Sequence, residues 1–149
     1  MNFNRQTCRR LHEDHEATLA LWNRFEQVAS ARTGSELAEL ARSCATALAH
    51  EISRHFAFEE EELFPLLSEA GEGDIGELLS EEHVVIRSAA QAFGAAIEKQ
   101  DWQKLRAAGL ELSERLNAHV QKEELSLLPA VEDLLDDDTD ARLVLAYAG

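Results

Sequence analysis

Two eleven-residue stretches of the chain read alike, HFAFEEEELFP from His55 and HVQKEELSLLP from His119. They share the opening histidine, glutamates four and five residues on, a leucine at plus eight and a proline at plus ten. A second pair also aligns, LHEDH ending at His15 and LSEEH ending at His83. The chain therefore reads as one helical hairpin used twice. Each copy offers a histidine from its first helix and His-x-x-x-Glu from its second.

The remaining sequence agrees with that division. With 7 Gly and 2 Pro, and Ala, Leu and Glu plentiful, helix is the strong expectation. Breaks fall at Ala31–Gly34, Gly71–Gly76 and Glu98–Asp101. Between them run apolar stripes at helical spacing: Leu11, His15, Leu19, Trp22; Leu37, Ala41, Cys44, Leu48, Ile52, His55, Glu59, Leu63; Leu79, His83, Ile86, Ala90, Phe93, Ile97; and Leu105, Leu112, Leu116, His119, Glu123. Thr33-x-x-Glu36, Asp74-x-x-Glu77 and Asp101 read as helix starts. The expected fold is all-α, an up-down-up-down four-helix bundle in a single domain, 1–149. Its tail, 135–149, is acidic and then apolar, a short helix laid on the bundle. Pro65 and Pro129 are expected to kink or end their helices just past the glutamates.

Four histidines and two glutamates thus occupy stripes that should be apolar. An unsatisfied buried polar group costs about 1–3 kcal/mol, and a lone buried carboxylate more. Residues four apart lie one turn apart on one helix face, so His55 with Glu59 and His119 with Glu123 point the same way. Two hairpins about a pseudo-twofold axis would bring His15, His55, Glu59, His83, His119 and Glu123 to one level. That nitrogen-and-oxygen set suits a pair of mid-row metals, iron first among them. Two octahedral ions offer about twelve positions; these six residues and one oxygen bridge leave about two open, room for dioxygen, nitric oxide or water.

Other metal motifs fail on spacing. No histidine has a glutamate three residues before it, as the ferritin-like Glu-x-x-His needs. His50 to His55 is one residue too long for HExxH.

Composition removes other classes. A net charge of −15 is repelled by phosphate backbones and anionic lipid, so neither nucleic acid nor membrane is expected as a partner. The opening MNFNRQTCRRLHEDHE has no apolar h-region, so a signal peptide is not expected and a cytoplasmic location is. Cys8 and Cys44 lie on opposite sides of the histidine layer, too far apart to pair.

These residues resemble the hemerythrin-like, or HHE cation-binding, domains over nearly the whole chain. The resemblance rests on His15 in LHEDH, His55 and Glu59 in HFAFEEEELFP, His83 in LSEEH, and His119 and Glu123 in HVQKEELSLLP. It implies a left-handed four-helix bundle with a non-haem centre of two Fe ions, bridged by oxo or hydroxo and by carboxylates. Oxygen-carrying members have His-x-x-x-His on the third helix, where this chain has His83 and Arg87. They place Asp five residues after the fourth-helix histidine, where this chain has Glu124. Symmetry with Glu59 favours Glu123 as the second bridge, and Glu124 stays a candidate. The set of four histidines and two glutamates is similar to the di-iron domain of iron–sulfur cluster repair proteins, without their small cysteine-containing domain.

The resemblance and the ligand count imply a di-iron protein that binds or reacts with dioxygen, nitric oxide or peroxide, or handles iron under oxidative or nitrosative stress. The alternatives are a redox enzyme and a zinc-stabilised module docking through Leu143–Tyr147. No flavin or nucleotide motif is present, so an enzyme would need a partner reductase; an iron–sulfur protein is the other candidate partner. No residue reads as a catalytic acid, base or nucleophile, and monomer and homodimer fit equally. His12 reads as a surface residue or a substitute ligand, His50 and Glu60–Glu62 as solvated, and Phe56, Phe58 and Phe64 as packing. Each imidazole should bind as the neutral tautomer with an acceptor behind it, Asp14, Glu82 and backbone carbonyls being candidates.

Overall fold

The computed structural model describes residues 2–30 and 34–148; Thr33 of the expected capping box lies outside them. Every element among the described residues is helical. Helix α1 is Gln6–Ser30. The second rod joins α2 (Gly34–Glu51), the π turns π1 (Ile52–Phe56) and π2 (Glu59–Leu63), and α3 (Phe64–Glu69). Helix α4 is Gly73–Glu98, and the last rod joins α5 (Trp102–Lys122), π3 (Glu123–Leu127) and α6 (Leu128–Leu134). The tail forms α7, Asp137–Ala148.

Contacts between the rods run in reversed order. Along α1 and α5, His15 meets Glu123 and Glu26 meets Ser113. Along α1 and α2, His15 faces His55 and Thr18 faces Glu51. Glu60 of the second rod reaches His83 and Arg87 of α4, while Glu82 of α4 reaches His119 of α5. Helix α1 therefore lies antiparallel to α2 and to α5. Asp101 caps α5 by accepting from the Lys104 amide. At α4, Asp74 sits inside the first turn and Glu72 holds the cap position. There Asp74 faces the positive end of the helix dipole without acting as a cap.

Of the two outcomes expected at the prolines, a kink or an end, the structure excludes the end. Neither Pro65 nor Pro129 ends its rod; each stands in the first turn of a further α segment, α3 or α6. The Phe64 amide bonds back to the Glu59 carbonyl, and the Leu128 amide to the Glu123 carbonyl. Such a widened turn shifts the hydrogen-bond ladder where a proline without an N–H follows, so the chain continues. The repeat thus extends to backbone geometry.

Two apolar cores lie on either side of the histidine layer. One packs Trp22, Phe25, Leu37, Phe93, Leu105 and Leu116, the other Leu11, Leu63, Leu67, Leu79, Leu127 and Leu143. In the first, Gly109 lets Phe25 reach the α5 backbone, since a Cβ there would lie 2.2 Å from the Phe25 ring. Cys8 and Cys44 are buried and free, as their separation predicts.

The start of α1 has no acidic residue of its own in its first turn. Instead Glu132 takes the Asn4 and Arg5 amides, and Asp140 of α7 takes those of Gln6 and Thr7. These amides would otherwise lack partners. Helix α7 is thereby tied to the bundle, with Leu143 and Tyr147 turned inward and Leu145 out. Of the apolar residues in the docking surface expected at Leu143–Tyr147, Leu143 and Tyr147 are buried in the core and Leu145 is exposed. No helix among the described residues is long and apolar enough to cross a membrane.

Candidate metal centre

All six residues expected at the centre are buried, Glu59, His83 and Glu123 completely. The four imidazoles pair by hairpin, with ring centroids 5.1 Å apart for His15 and His55 and 4.9 Å for His83 and His119. Each glutamate lies between the pairs and divides its oxygens. Glu59 Oε2 is 3.0 Å from His55 Nε2, and its Oε1 is 3.1 Å from His83 Nε2. Glu123 Oε1 is 2.7 Å from His15 Nε2 and 3.4 Å from His55 Nε2, while its Oε2 is 3.1 Å from His119 Nε2. Two four-residue groups with converging donor atoms result, His15–His55–Glu59–Glu123 and Glu59–His83–His119–Glu123. They share both glutamates.

The donor set fits cations better than it fits itself. Glu59 Oε1, His83 Nε2, His119 Nε2 and Glu123 Oε2 are buried and make no hydrogen bond. The short His83–Glu59 and His119–Glu123 separations lack hydrogen-bond geometry. Bonds of about 2.1 Å at right angles put neighbouring donors about 3 Å apart. The His83–Glu59 and His119–Glu123 contacts lie near that spacing, and each group's donor atoms lie within 4.8 Å of one another, so both groups could hold an ion. Leaving such groups without a partner would cost about 1–3 kcal/mol each.

Behind every ring stands a carboxylate. His15 Nδ1 is 2.7 Å from Glu124, His83 Nδ1 2.6 Å from Glu60 and His119 Nδ1 2.7 Å from Glu82. His55 Nδ1 has two acceptors, Glu51 at 2.7 Å and Asp14 at 3.2 Å. A carboxylate accepting from Nδ1 fixes the tautomer that presents Nε2 to a metal. Of the candidate acceptors, Asp14 and Glu82 take these positions.

Glu51, Glu60 and Glu124 are the acceptors that sequence reasoning did not assign, and the repeat carried the signal for two of them. Glu60 and Glu124 are the second glutamates of the repeated pair, as Asp14 and Glu82 are the acidic residues directly before His15 and His83. Of Glu123 and Glu124, Glu123 is central and fully buried, and Glu124 stands behind His15. His12 lies 2.6 Å from Glu124 on the far side and is half-buried, away from both donor groups. His50 is exposed, as expected.

The electrostatics follow from this crowding. Burial alone lowers the pKa of His15, but Glu123 and Glu124 overcome it and carry the group up to about 9. His83 rises to about 9 in the same way, against burial, through Glu123, Glu59 and Glu60. Burial and the neighbouring Glu123 raise Glu59. The four imidazoles outweigh burial at Glu123 and hold it well below the ordinary carboxylate range. Without metal, the pocket stores protons on its imidazoles.

Aromatic rings dry one side. Phe56 stacks on His83 at 3.8 Å with planes 4° apart, and Phe64 lies 5.7 Å from the same ring. Arg87, which follows His83 by one turn, donates to Glu60 from both terminal guanidinium nitrogens at 2.8 and 3.0 Å. It steadies the acceptor behind His83 from outside the donor groups.

The sequence model of the hemerythrin HHE cation binding domain matches residues 6–131, a span that holds all six central residues and stops short of α7. No curated protein matches the chain.

Proposed function

The chain belongs to the hemerythrin HHE cation-binding family, and from that premise we propose that it holds two iron ions between the two hairpins of an up-down-up-down four-helix bundle. His15 and His55 hold one ion, His83 and His119 the other, and Glu59 and Glu123 reach both. One observation carries this reading: two fully buried glutamates each direct one oxygen to either histidine pair, with four donor atoms left without hydrogen bonds. Imidazole with carboxylate suits iron. When bound, the ions supply redox change and Lewis acidity to a small ligand, with dioxygen, nitric oxide and peroxide as the class.

The protein's own residues do the rest. Asp14, Glu51, Glu60, Glu82 and Glu124 accept from Nδ1 of the rings and turn each Nε2 toward its ion, which binds there by displacing a proton. Phe56 and Phe64 keep water from the His83 side. A groove of about 300 Å³ between α4 and α5 has His119 in its lining, with apolar Leu78, Val85, Ile86 and Ala118 beside charged Glu81, Arg115 and Lys122. The ion pair of Lys122 with Glu82 stands beside it. The reading is a ligand-binding or iron-handling protein active under oxidative or nitrosative stress, drawing electrons from a partner protein when it cycles. The test is to expose iron-loaded protein to nitric oxide and to peroxide. A saturable spectral change without sustained consumption supports binding; steady peroxide loss with an added reductant would make it an enzyme instead.

A further inference from the structure

The two histidine pairs differ in what holds the carboxylates behind them, and a helix outside the family match takes part in the difference. Behind His119, Glu82 is held by the Lys122 ammonium, three residues after that histidine. Behind His83, Glu60 is held by Arg87. Both acceptors in this half are therefore tied to fixed cations. In the other half, the residue equivalent to Lys122 is Phe58 and the one equivalent to Arg87 is Leu19, and neither can donate. Glu124 has His12 instead. Asp14 has Tyr147, whose hydroxyl donates to Asp14 Oδ2, the same oxygen that lies 3.2 Å from His55 Nδ1.

Helix α7 is built to deliver that hydroxyl. Asp140 holds α7 to the start of α1, and Arg142 reaches Glu62 at 3.2 Å. The Arg54 guanidinium lies over the Tyr147 ring and bonds its carbonyl oxygen at 3.1 Å. The ring packs 4.7 Å from Phe58 and 6.2 Å from His55, and Tyr147 is buried. A phenol orients a carboxylate without cancelling its charge as an ammonium does. Arg54 is the fixed cation acting on Asp14, against the carboxylates of Asp14, Glu51 and Glu124, whereas Glu60 and Glu82 face Arg87 and Lys122. The His15–His55 half is therefore the more negative of the two.

We propose that Tyr147 is a positioning residue for that half of the centre: acting through Asp14 and the His55 ring, it makes the two metal positions unequal and slows metal release from the His15–His55 side. The inference rests on the proposed metal centre. Removing a partner behind a ligand costs about 10- to 100-fold in metal affinity, and one step further out the lower end applies.

The test loads the full chain with ferrous iron under anaerobic conditions and follows release to a coloured chelator. Wild type should release in two phases. Tyr147→Phe, which keeps the ring, should speed one phase about tenfold and leave the other alone. Asp14→Asn should speed the same phase, and adding Tyr147→Phe to it should change nothing more. The sequence has 1 Tyr, so the phenol Raman band of metal-free protein reports this residue alone and should shift in Asp14→Asn. Unchanged release in Tyr147→Phe, an effect that persists in full on Asp14→Asn, or an unshifted phenol band would each overturn the inference. Wild type that takes up no iron would overturn the proposed function itself, and the inference with it.

Discussion

His15 and Glu124, from opposite ends of the chain, meet at 2.7 Å through Nδ1. The contact repeats between His83 and Glu60 at 2.6 Å. In both cases the second glutamate of one hairpin's repeat steadies the first histidine of the other hairpin. The hairpins are thus interlocked by the acceptors as well as by the shared glutamates. Glu124→Gln and Glu60→Gln should each weaken metal retention about 10- to 100-fold, read by chelator competition. Metal retention equal to wild type in both would mean these carboxylates do not tune the rings.

Because Glu59 and Glu123 each serve both histidine pairs, Glu59→Ala should lower metal at both positions. His83→Ala should spare much of the ion held by His15 and His55. Metal-to-protein ratios of the two purified variants give the comparison. Identical ratios would argue against a glutamate divided between two ions.

The proton-loaded pocket sets a pH dependence for the metal-free protein. His15 and His83 stand at about 9 folded against 6.5 unfolded, so the folded state binds more protons between those values. Their contribution is complete below pH 6.5 and is lost as pH rises through about 9. Metal-free protein should therefore melt at lower temperature as pH is raised across this window. Metal loading should run the opposite way, because each ion displaces protons. Melting curves of both forms at matched pH values check it, and parallel slopes would contradict it.

Gly109 tests the packing apart from the centre. A methyl at this position meets Phe25 at 2.2 Å and Phe93 at 2.9 Å. Gly109→Ala should destabilise the fold by about 1–3 kcal/mol as overpacking. A lowered denaturant midpoint is the expected result, with metal content per folded chain unchanged.

The histidine stripes made the rods and the central residues legible in the sequence, since His15, His55, Glu59, His83, His119 and Glu123 had no other reason to stand on apolar faces. The turns π2 and π3 were hidden, because nothing in FEEEEL or KEELSL reveals a widened turn except the proline that follows each, and π1 lacks even that signal. Glu60 read as solvated for the same reason: helical spacing turned it outward, and only the neighbouring rod brings His83 and Arg87 to meet it. Tyr147 was the least legible. Its role depends on the α7 ties to Arg54, Glu62 and the start of α1, contacts between distant parts of the chain that no local pattern encodes.

The central claim is a shared centre for two ions. Metal analysis with an absorption spectrum on aerobically purified, untagged protein tests it most directly. About two irons per chain, with near-ultraviolet absorption that bleaches on dithionite, is the predicted result, as two donor groups with common glutamates require. One ion per chain, zinc in place of iron, or a stably folded chain that takes up no iron would contradict it.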